Sequence, residues 1–245
     1  VNTKLCQESD VLDTWFSSWL WPMEVFGWNA DNNNEELAYY YPTKTLVTGP
    51  DIIFFWIARM IMSGYEYMKE RPFDQVYFTG IVRDKQGRKM SKQLGNSPDL
   101  LKMIEDHGAD VVRFSVLISS PAGNDILFDE AFLEQGRNFI NKMWNAMKLV
   151  KMWEGKGLST AEPTPAAKFA TQWMQNRINE VRTQLDKDFS QFKLSEALKA
   201  TYSLIWNDFC SWYIEWVKPG FEQQIDQTTY AKTIDMFEQL LQLAH

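Results

Sequence analysis

Histidine and cysteine are nearly missing from this chain, with two of each in 245 residues. The histidines are His107 and the last residue, His245, and the cysteines, Cys6 and Cys210, lie far apart with no paired spacing. A disulfide framework and a His/Cys metal centre are therefore excluded, and no metal held by protein ligands is expected. The two thiols read as reduced and buried, which fits a cytoplasmic protein. Long hydrophobic runs are absent too. None approaches the roughly 20 residues of a membrane span, and no basic start followed by an apolar stretch reads as a signal peptide, so no membrane partner is expected. Positive charge is also in short supply: 25 Lys+Arg stand against 32 Asp+Glu, giving a net charge of −7 and a pI near 5.0. That overall field has the wrong sign for gripping nucleic acid. No protein partner is inferable.

What is present is apolar and aromatic. Hydrophobic residues make up 45% and tryptophan occurs 11 times, so a substantial core is within reach and global disorder is excluded. The length suits one large or two ordinary domains. Cations gather locally, Arg83, Lys85, Arg88, Lys89 and Lys92 in one loop and Lys142, Lys148, Lys151 and Lys156 in a later segment, although such a spread reads first as that of solvated helix faces.

The first third mixes periods. Thr45 to Thr48 is a β-type run ending in Gly49, Asp51 to Met62 is an apolar stretch long enough for a buried helix, and Gln75 to Val82 reads as a second strand. Strand, helix, strand with ligand-type loops at the strand ends is the order of a parallel α/β sheet. Pro98-Asp99 then precedes a short helix, Leu100 to Asp106, closed by His107-Gly108, with Gly108 as its C-terminal cap and His107 capping or exposed in preference to a base.

From Asp129 onward the pattern is helical. Phe132, Phe139, Met143, Met147 and Val150 form one stripe, and Gly155 to Pro165 is a linker. A second helix carries Ala170, Met174, Ile178, Val181 and Leu185 on one face. A third, from about Phe192 to Val217, turns Leu194, Leu198, Thr201, Ile205 and Phe209 inward and stops at Pro219-Gly220; a fourth, from near Thr228, aligns Tyr230, Ile234, Phe237 and Leu241. Four such helices make an antiparallel bundle. The last is still periodic at His245, the start has no initiator methionine, and one strand-helix-strand unit cannot bury both sheet faces; we expect a piece of a larger protein.

Three constellations carry chemistry. Lys89-Met90-Ser91-Lys92 puts two point charges three residues apart around a small hydroxyl, a pattern suited to a triphosphate whose charge shifts on cleavage; the plainer reading is a solvated basic loop. Gly49-Pro50-Asp51 ends a strand and opens a helix, where a carboxylate suits a ribose hydroxyl pair, or is only a helix cap. In Thr79-Gly80-Ile81 the glycine permits a flat ring to approach the backbone.

Several runs carry a family likeness: Asp10-Val-Leu-Asp-Thr-Trp-Phe-Ser-Ser18 with Leu20-Trp21-Pro22, Val47-Thr-Gly-Pro-Asp-Ile-Ile-Phe-Phe-Trp56 with Ala58-Arg59-Met60, and Lys89-Met-Ser-Lys-Gln-Leu-Gly-Asn96. Gly108-Ala-Asp110 with Arg113-Phe114, Arg137-Asn138-Phe139 and Trp206-Asn-Asp-Phe-Cys-Ser-Trp-Tyr213 extend it. With these the chain resembles the class I aminoacyl-tRNA synthetases, most closely their valine-specific branch. The resemblance implies half of a Rossmann-like nucleotide-binding fold over residues 1–118, a connecting region at 119–128 and a truncated helical anticodon-binding domain at 129–245, hence an α/β plus all-α class. It implies L-valine, ATP and tRNA(Val) as partners, with Mg2+ held mainly through ATP. Lys89 and Lys92 would neutralise the triphosphate and the leaving pyrophosphate, Met90 and Ser91 would shape the loop, Gly49 and Asp51 would hold the ribose, and Gly80 with Ile81 would back the adenine. Trp15 and Ile52 would line the valine pocket; read without the family they are ordinary core.

The pattern departs from the family at three points. Gln93 stands where serine is usual, Pro50 stands where an aromatic residue is often seen, and no His-x-Gly-His stretch or inserted editing domain is present. The chain alone is expected to be inactive. The readings kept beside this one are an isoleucine-specific enzyme of the same class and a non-catalytic tRNA-binding module.

Overall fold

Asp13 opens the first helix, α1 (Thr14–Trp19), by accepting from the Trp15 amide at 2.8 Å, the usual way a short acidic side chain satisfies an orphan helix donor. A computed structural model describes residues 5–29, 34–120, 123–129 and 131–245 and packs the chain as two units, Val1–Gly80 and Ile81–His245.

In the first unit α1 is followed by α2 (Trp21–Glu24) and α3 (Glu35–Tyr40), the latter capped by Asn34, whose Oδ1 accepts from the Glu36 and Leu37 amides. Met23, Leu37 and Tyr41 form a small core there. Strands β1 (Thr43–Thr48) and β2 (Phe73–Phe78) pair in parallel, from Thr43 opposite Phe73 to Thr48 opposite Phe78. The crossover between them changes pitch four times: a tight 3-10 turn (Pro50–Ile52), a wide π turn (Ile53–Ile57), α4 (Ala58–Ser63) and a second wide turn (Gly64–Met68). Ile57 and Met60, three residues apart, are buried with Phe73 against Leu46, Val76 and Phe78.

Three expectations are corrected here. The stretch from Asp51 to Met62 is not a buried helix, since Phe54, Phe55 and Met62 are 82%, 57% and 64% exposed; only the Ile57/Met60 side meets the sheet. The second strand ends at Phe78 and does not run to Val82. Gly80 and its neighbours leave the ladder, and β3 (Val82–Arg83) pairs instead with β4 (Ile126–Leu127) in the second unit. Cys6 is exposed, because no apolar element among the described residues packs over it, whereas Cys210 is buried as expected; both thiols are free.

In the second unit α5 (Leu100–His107) is capped by Asp99 and closed by Gly108, whose φ of +89° suits glycine and whose N–H donates to Ile104 O at 2.8 Å. Next come α6 (Ala109–Ile118) and α7 (Ala131–Gly155). They cross at Gly136, where an added Cβ would sit 2.6 Å from Ser115 Oγ and 2.8 Å from Val111 O. The Gly155–Pro165 linker contains β5 (Leu158–Ser159), which pairs in parallel with β6 (Ile225–Asp226). Helix α8 (Pro165–Ser190) starts on Thr164, with proline where no N–H is needed, and buries all five stripe residues from Ala170 to Leu185.

The third helix starts at Leu194, not Phe192, because Phe192 takes a φ of +56° that no helix continues through. It runs as α9 (Leu194–Ser203), a wide π segment (Leu204–Tyr213) and α10 (Ile214–Val217). Thr201, Ile205 and Phe209 are buried, while Leu194 and Leu198 are half-buried and Ser195 and Ala197 go deeper. In α11 (Gln227–Ala244) Tyr230 and Phe237 are buried as expected, but Ile234 is half-buried and Leu241 is 43% exposed; Thr233, Met236 and Leu240 face inward, so the stripe departs from the expected one by one residue at two of its four positions. Phe132 is likewise only half-buried and Leu133 takes the inner place. One apolar core joins α6 to α11, with Phe209, Met174, Ile178, Leu204 and Tyr213 at 1% exposure or less. Each such side chain is worth about 1.5–3 kcal/mol of burial. No helix among the described residues is long and apolar enough to cross a membrane.

Candidate active site

The parallel register fixes what stands together in the first unit. Thr48 faces Phe78, and the Thr79 amide donates to Thr48 O at 2.9 Å, so Gly49-Pro50-Asp51 and Thr79-Gly80 leave the carboxyl ends of adjacent strands. That edge is where open parallel sheets receive ligands. Gly49 has φ −87° and ψ 148°, which any residue adopts, and a Cβ added there would meet nothing within 4 Å. The glycine thus leaves open space beside the backbone and is not demanded by the fold. The 3-10 turn is headed by Gly49 with no side-chain cap; Asp51 sits exposed inside its first turn and is not the N-cap. The wide turn that follows is a feature frequent at functional sites.

Trp15 and Ile52 are not core. They are 54% and 38% exposed, and α1 packs on α4 and on the Ile53–Ile57 turn. The Arg59 guanidinium lies 3.9 Å from the Trp15 ring centroid and 5.8 Å from that of Trp56. Arg59 is only 6% exposed, and among the described residues its Nε and Nη1 have no hydrogen-bond partner. A cation inside the apolar Val47–Met60 run was the available sign of this buried charge, and composition alone passes it over.

The other predicted residues belong to the second unit. Ile81 uses both backbone polar groups internally: its N–H donates to Asp125 Oδ1 at 3.2 Å, and its carbonyl accepts from Ile126 at 2.9 Å. Its amide is thereby engaged, which leaves its side chain and the second lone pair of its carbonyl for a ligand. The lysine loop is a hairpin closed by an antiparallel bridge between Arg83 and Lys89 and by a turn in which Gly87, at φ +77°, donates to Asp84 O at 2.9 Å. Lys89 and Lys92 are exposed; Met90 and Ser91 are half-buried. Ser91 has a turn-forming role, since its Oγ and its carbonyl each accept from the Leu94 amide at 3.2 Å.

Among the described residues Arg83 pairs with Asp125, Lys85 with Asp129 at 2.9 Å and Arg88 with Asp84 at 2.7 Å. Asp125 is held below the usual carboxylate range by Arg83 and by the Ile81 amide, and Asp129 by the Ala131 amide and Lys85. Asp84, 8% exposed, is the hub that residue-type reasoning missed. It accepts from Asn96 Nδ2 (2.9 Å), the Gln86 and Arg88 amides (3.0 and 2.9 Å) and Arg88 Nε (2.7 Å). The Asn96 bond first, then the Arg88 amide and guanidinium, pull its carboxyl down to about 2. The available signal was the Asp84-Lys-Gln-Gly87 turn pattern.

The remaining candidates do not join this chemistry. His107 Nδ1 accepts from Arg137 Nη2 at 2.6 Å, an interaction within the second unit. The later basic segment is engaged locally, with Lys142 5.2 Å from the Trp206 ring, Lys148 5.5 Å from Trp144 and Lys151 3.1 Å from Glu154. The Cys210 thiol is pushed up to about 11 by burial, which disfavours its thiolate form. Among the described residues no three His, Cys, Asp or Glu side chains gather as a metal site.

Comparison with known proteins gives two family matches: tRNA synthetases class I (I, L, M and V) over residues 1–129, and the anticodon-binding domain of tRNA ligase over residues 171–245. A valine–tRNA ligase of Porphyromonas gingivalis is 59% identical over 98% of this chain, and one of Phocaeicola vulgatus is 56% identical over the same share. The chain spans 27% of the length of each. Among solved structures, a LeuRS–tRNA–LeuAMS complex of Agrobacterium radiobacter K84 is similar with a TM-score of 0.73 at 17% identity, covering 97% of this chain and 30% of that one. Methionyl-tRNA synthetase of Mycobacterium tuberculosis in complex with methionyl-adenylate also gives 0.73, at 21% identity, over 94% and 46%. At these identities the structural likeness concerns the fold.

Proposed function

The chain belongs to the class I tRNA synthetases, and from that premise we propose that it is the part of a valine–tRNA ligase that holds the nucleotide-binding strand ends, the lysine loop and the anticodon-binding helices. The observation that carries this reading is the 59% identity to a valine–tRNA ligase across nearly the whole chain. Residues 1–118 would contribute to the catalytic domain, 119–128 would connect, and 129–245 would belong to the anticodon-binding domain; packing, by contrast, groups everything after Gly80 with the helices.

In the proposed reaction a valine carboxylate oxygen bonds to the α-phosphorus of ATP, the α–β anhydride breaks and pyrophosphate leaves. A hydroxyl of the tRNA(Val) 3′ end then attacks the carbonyl of the adenylate and AMP departs. The ribose is assigned to Gly49 and Asp51, the adenine to Gly80 and the Ile81 side chain, and the valine side chain to Trp15 and Ile52. Lys89 and Lys92 meet the triphosphate. Their ammonium charges matter most when the pyrophosphate develops negative charge, so they lower the barrier more than they tighten ground-state binding. Mg2+ bound with ATP would be held by phosphate oxygens and water in preference to protein side chains, and would supply further shielding of that charge. Excluding a side chain larger by one methylene yields only about 1–3 kcal/mol of discrimination.

The test is amino-acid-dependent exchange of pyrophosphate into ATP by the full-length protein. Valine is expected to support it, isoleucine to be a poor substitute, and Lys92→Ala to lower the rate by about 10²–10³-fold, the usual cost of one charge-stabilising donor. The 245-residue chain alone is expected to give no exchange. Preference for isoleucine, or no valine-dependent exchange by the full-length protein, would overturn the proposal.

A further inference from the structure

The lysine loop has almost nothing apolar to hold it. Between Arg83 and Asn96 only Asp84 is buried, and the loop's own turns are stitched by Gly87 to Asp84 and by Gly95 to Lys92 O at 3.2 Å. Two side chains link its ends. Asn96 Nδ2 donates to Asp84 Oδ2 at 2.9 Å and reaches Lys89 O at 3.4 Å, while Asn96 Oδ1 accepts from the Ser91 amide at 2.9 Å. A single carboxamide therefore grips the backbone on both sides of Met90, between the two lysines, and ties it to a carboxylate twelve residues back. Asp84 in turn holds Gln86 and Arg88 by their amides and neutralises Arg88, a tolerable burial for a charge because its lone pairs are taken by four donors.

From this we infer that Asp84 and Asn96 are the positioning residues of the phosphate-binding loop: the buried carboxylate and the carboxamide set the backbone from which Lys89 and Lys92 are aimed. Neither touches substrate. The inference rests on the reading of the two lysines as phosphate ligands. A side chain aimed from a loosened backbone loses transition-state contact before it loses ground-state binding, and a displacement of about 1 Å at such a point costs on the order of 10²-fold in rate.

The experiment uses the full-length protein with Asn96→Ala, Asp84→Asn, the reciprocal double variant Asp84→Asn/Asn96→Asp and, as reference, Lys92→Ala. Each is read by pyrophosphate exchange at varied ATP and valine and by amide hydrogen exchange across residues 85–96. Asn96→Ala and Asp84→Asn are expected to lower kcat by about 30–100-fold with the valine KM within about twofold. Loop amides should exchange roughly tenfold faster while those of α8 and α9 are unchanged. The reciprocal variant restores a donor–acceptor pair between 84 and 96 without the Arg88 contact, and should recover about tenfold of the loss; slowed loop exchange with no recovery of kcat would show that the pair holds the loop without aiming the lysines, and overturns the inference. Unchanged kcat in both single variants beside a crippled Lys92→Ala, or loop exchange unmoved by Asn96→Ala, overturns the inference. A neutral Lys92→Ala overturns the lysine reading and the aiming role with it. That failure is recognisable because loop exchange would still rise in Asn96→Ala.

Discussion

Within the second unit the helical core and the lysine loop are held by different physics. The core from α6 to α11 is an apolar interior with stacked rings, Phe209 5.5 Å from both Tyr213 and Phe237, and few polar groups beyond satisfied ones such as Tyr213 Oη, 2.7 Å from Thr233 Oγ1. The loop is a set of hydrogen bonds converging on one buried carboxylate. Apolar burial is non-directional and summed over many side chains, so it stabilises without prescribing any one atom's place. A polar clamp contributes less but specifies geometry, and it can be released by changing one partner. A protein that must keep a helical domain folded while a charged loop meets a changing ligand has reason to use both.

The largest way to break that contrast lies in the core. Phe209 is fully buried, so Phe209→Ala removes a ring that neighbours cannot replace, and the loss should be about 3–5 kcal/mol. Urea unfolding of the chain followed by tryptophan fluorescence checks it, with a lower midpoint at unchanged slope. A loss below about 1 kcal/mol would mean that the interior is looser than its exposure values imply. The next effect is smaller and sits at the α6–α7 crossing. Gly136→Ala gains helix propensity on the order of 1 kcal/mol, yet its new Cβ would press on Val111 O, a backbone atom that cannot swing aside. We expect net destabilisation of about 1–3 kcal/mol in the same assay. A stabilised variant would show that the two backbones do not approach so closely.

How far the sequence disclosed this division depended on the range of the forces. The α8 stripe from Ala170 to Leu185 was legible because a long regular helix repeats its burial every three to four residues. The stripe of α11 was misplaced by one residue at Leu241, since Leu240 and Leu241 are identical in type and only packing chooses between them. Helix α6, buried at Val111, Val112, Phe114 and Ser115, went unread as an element because its ends lack conventional caps. The two-residue pairs β3–β4 and β5–β6 are non-local contacts with no periodic signal at all. For the candidate site, residue types at strand ends and in the loop suggest Gly49, Asp51, Gly80, Lys89 and Lys92 as ligand-facing positions, a reading that pyrophosphate exchange tests. Arg59, Asp84 and Asn96 needed coordinates, because their part consists of whom they touch.

The smallest predicted effect is also the one most specific to the loop. Asp84 titrates at about 2 when folded, below the ordinary 3.8, and the largest cause is the Asn96 bond. A depressed carboxyl favours the folded loop above its ordinary value and loses that contribution as pH falls through the folded one. The clamp's contribution to stability is thus full above about pH 4 and declines as the pH falls toward about 2, where the folded carboxyl itself takes up its proton. Carbon-detected NMR of the Asp84 carboxyl should give a midpoint near 2, and Asn96→Ala should move it up toward 3.8. Chemical shifts of residues 85–96 should follow the same curve, while those of the apolar cluster around Phe209 should not. If Asp84 titrates at its ordinary value, or if loop and core move together on a single curve, then the two regions are not held independently and the contrast between them fails.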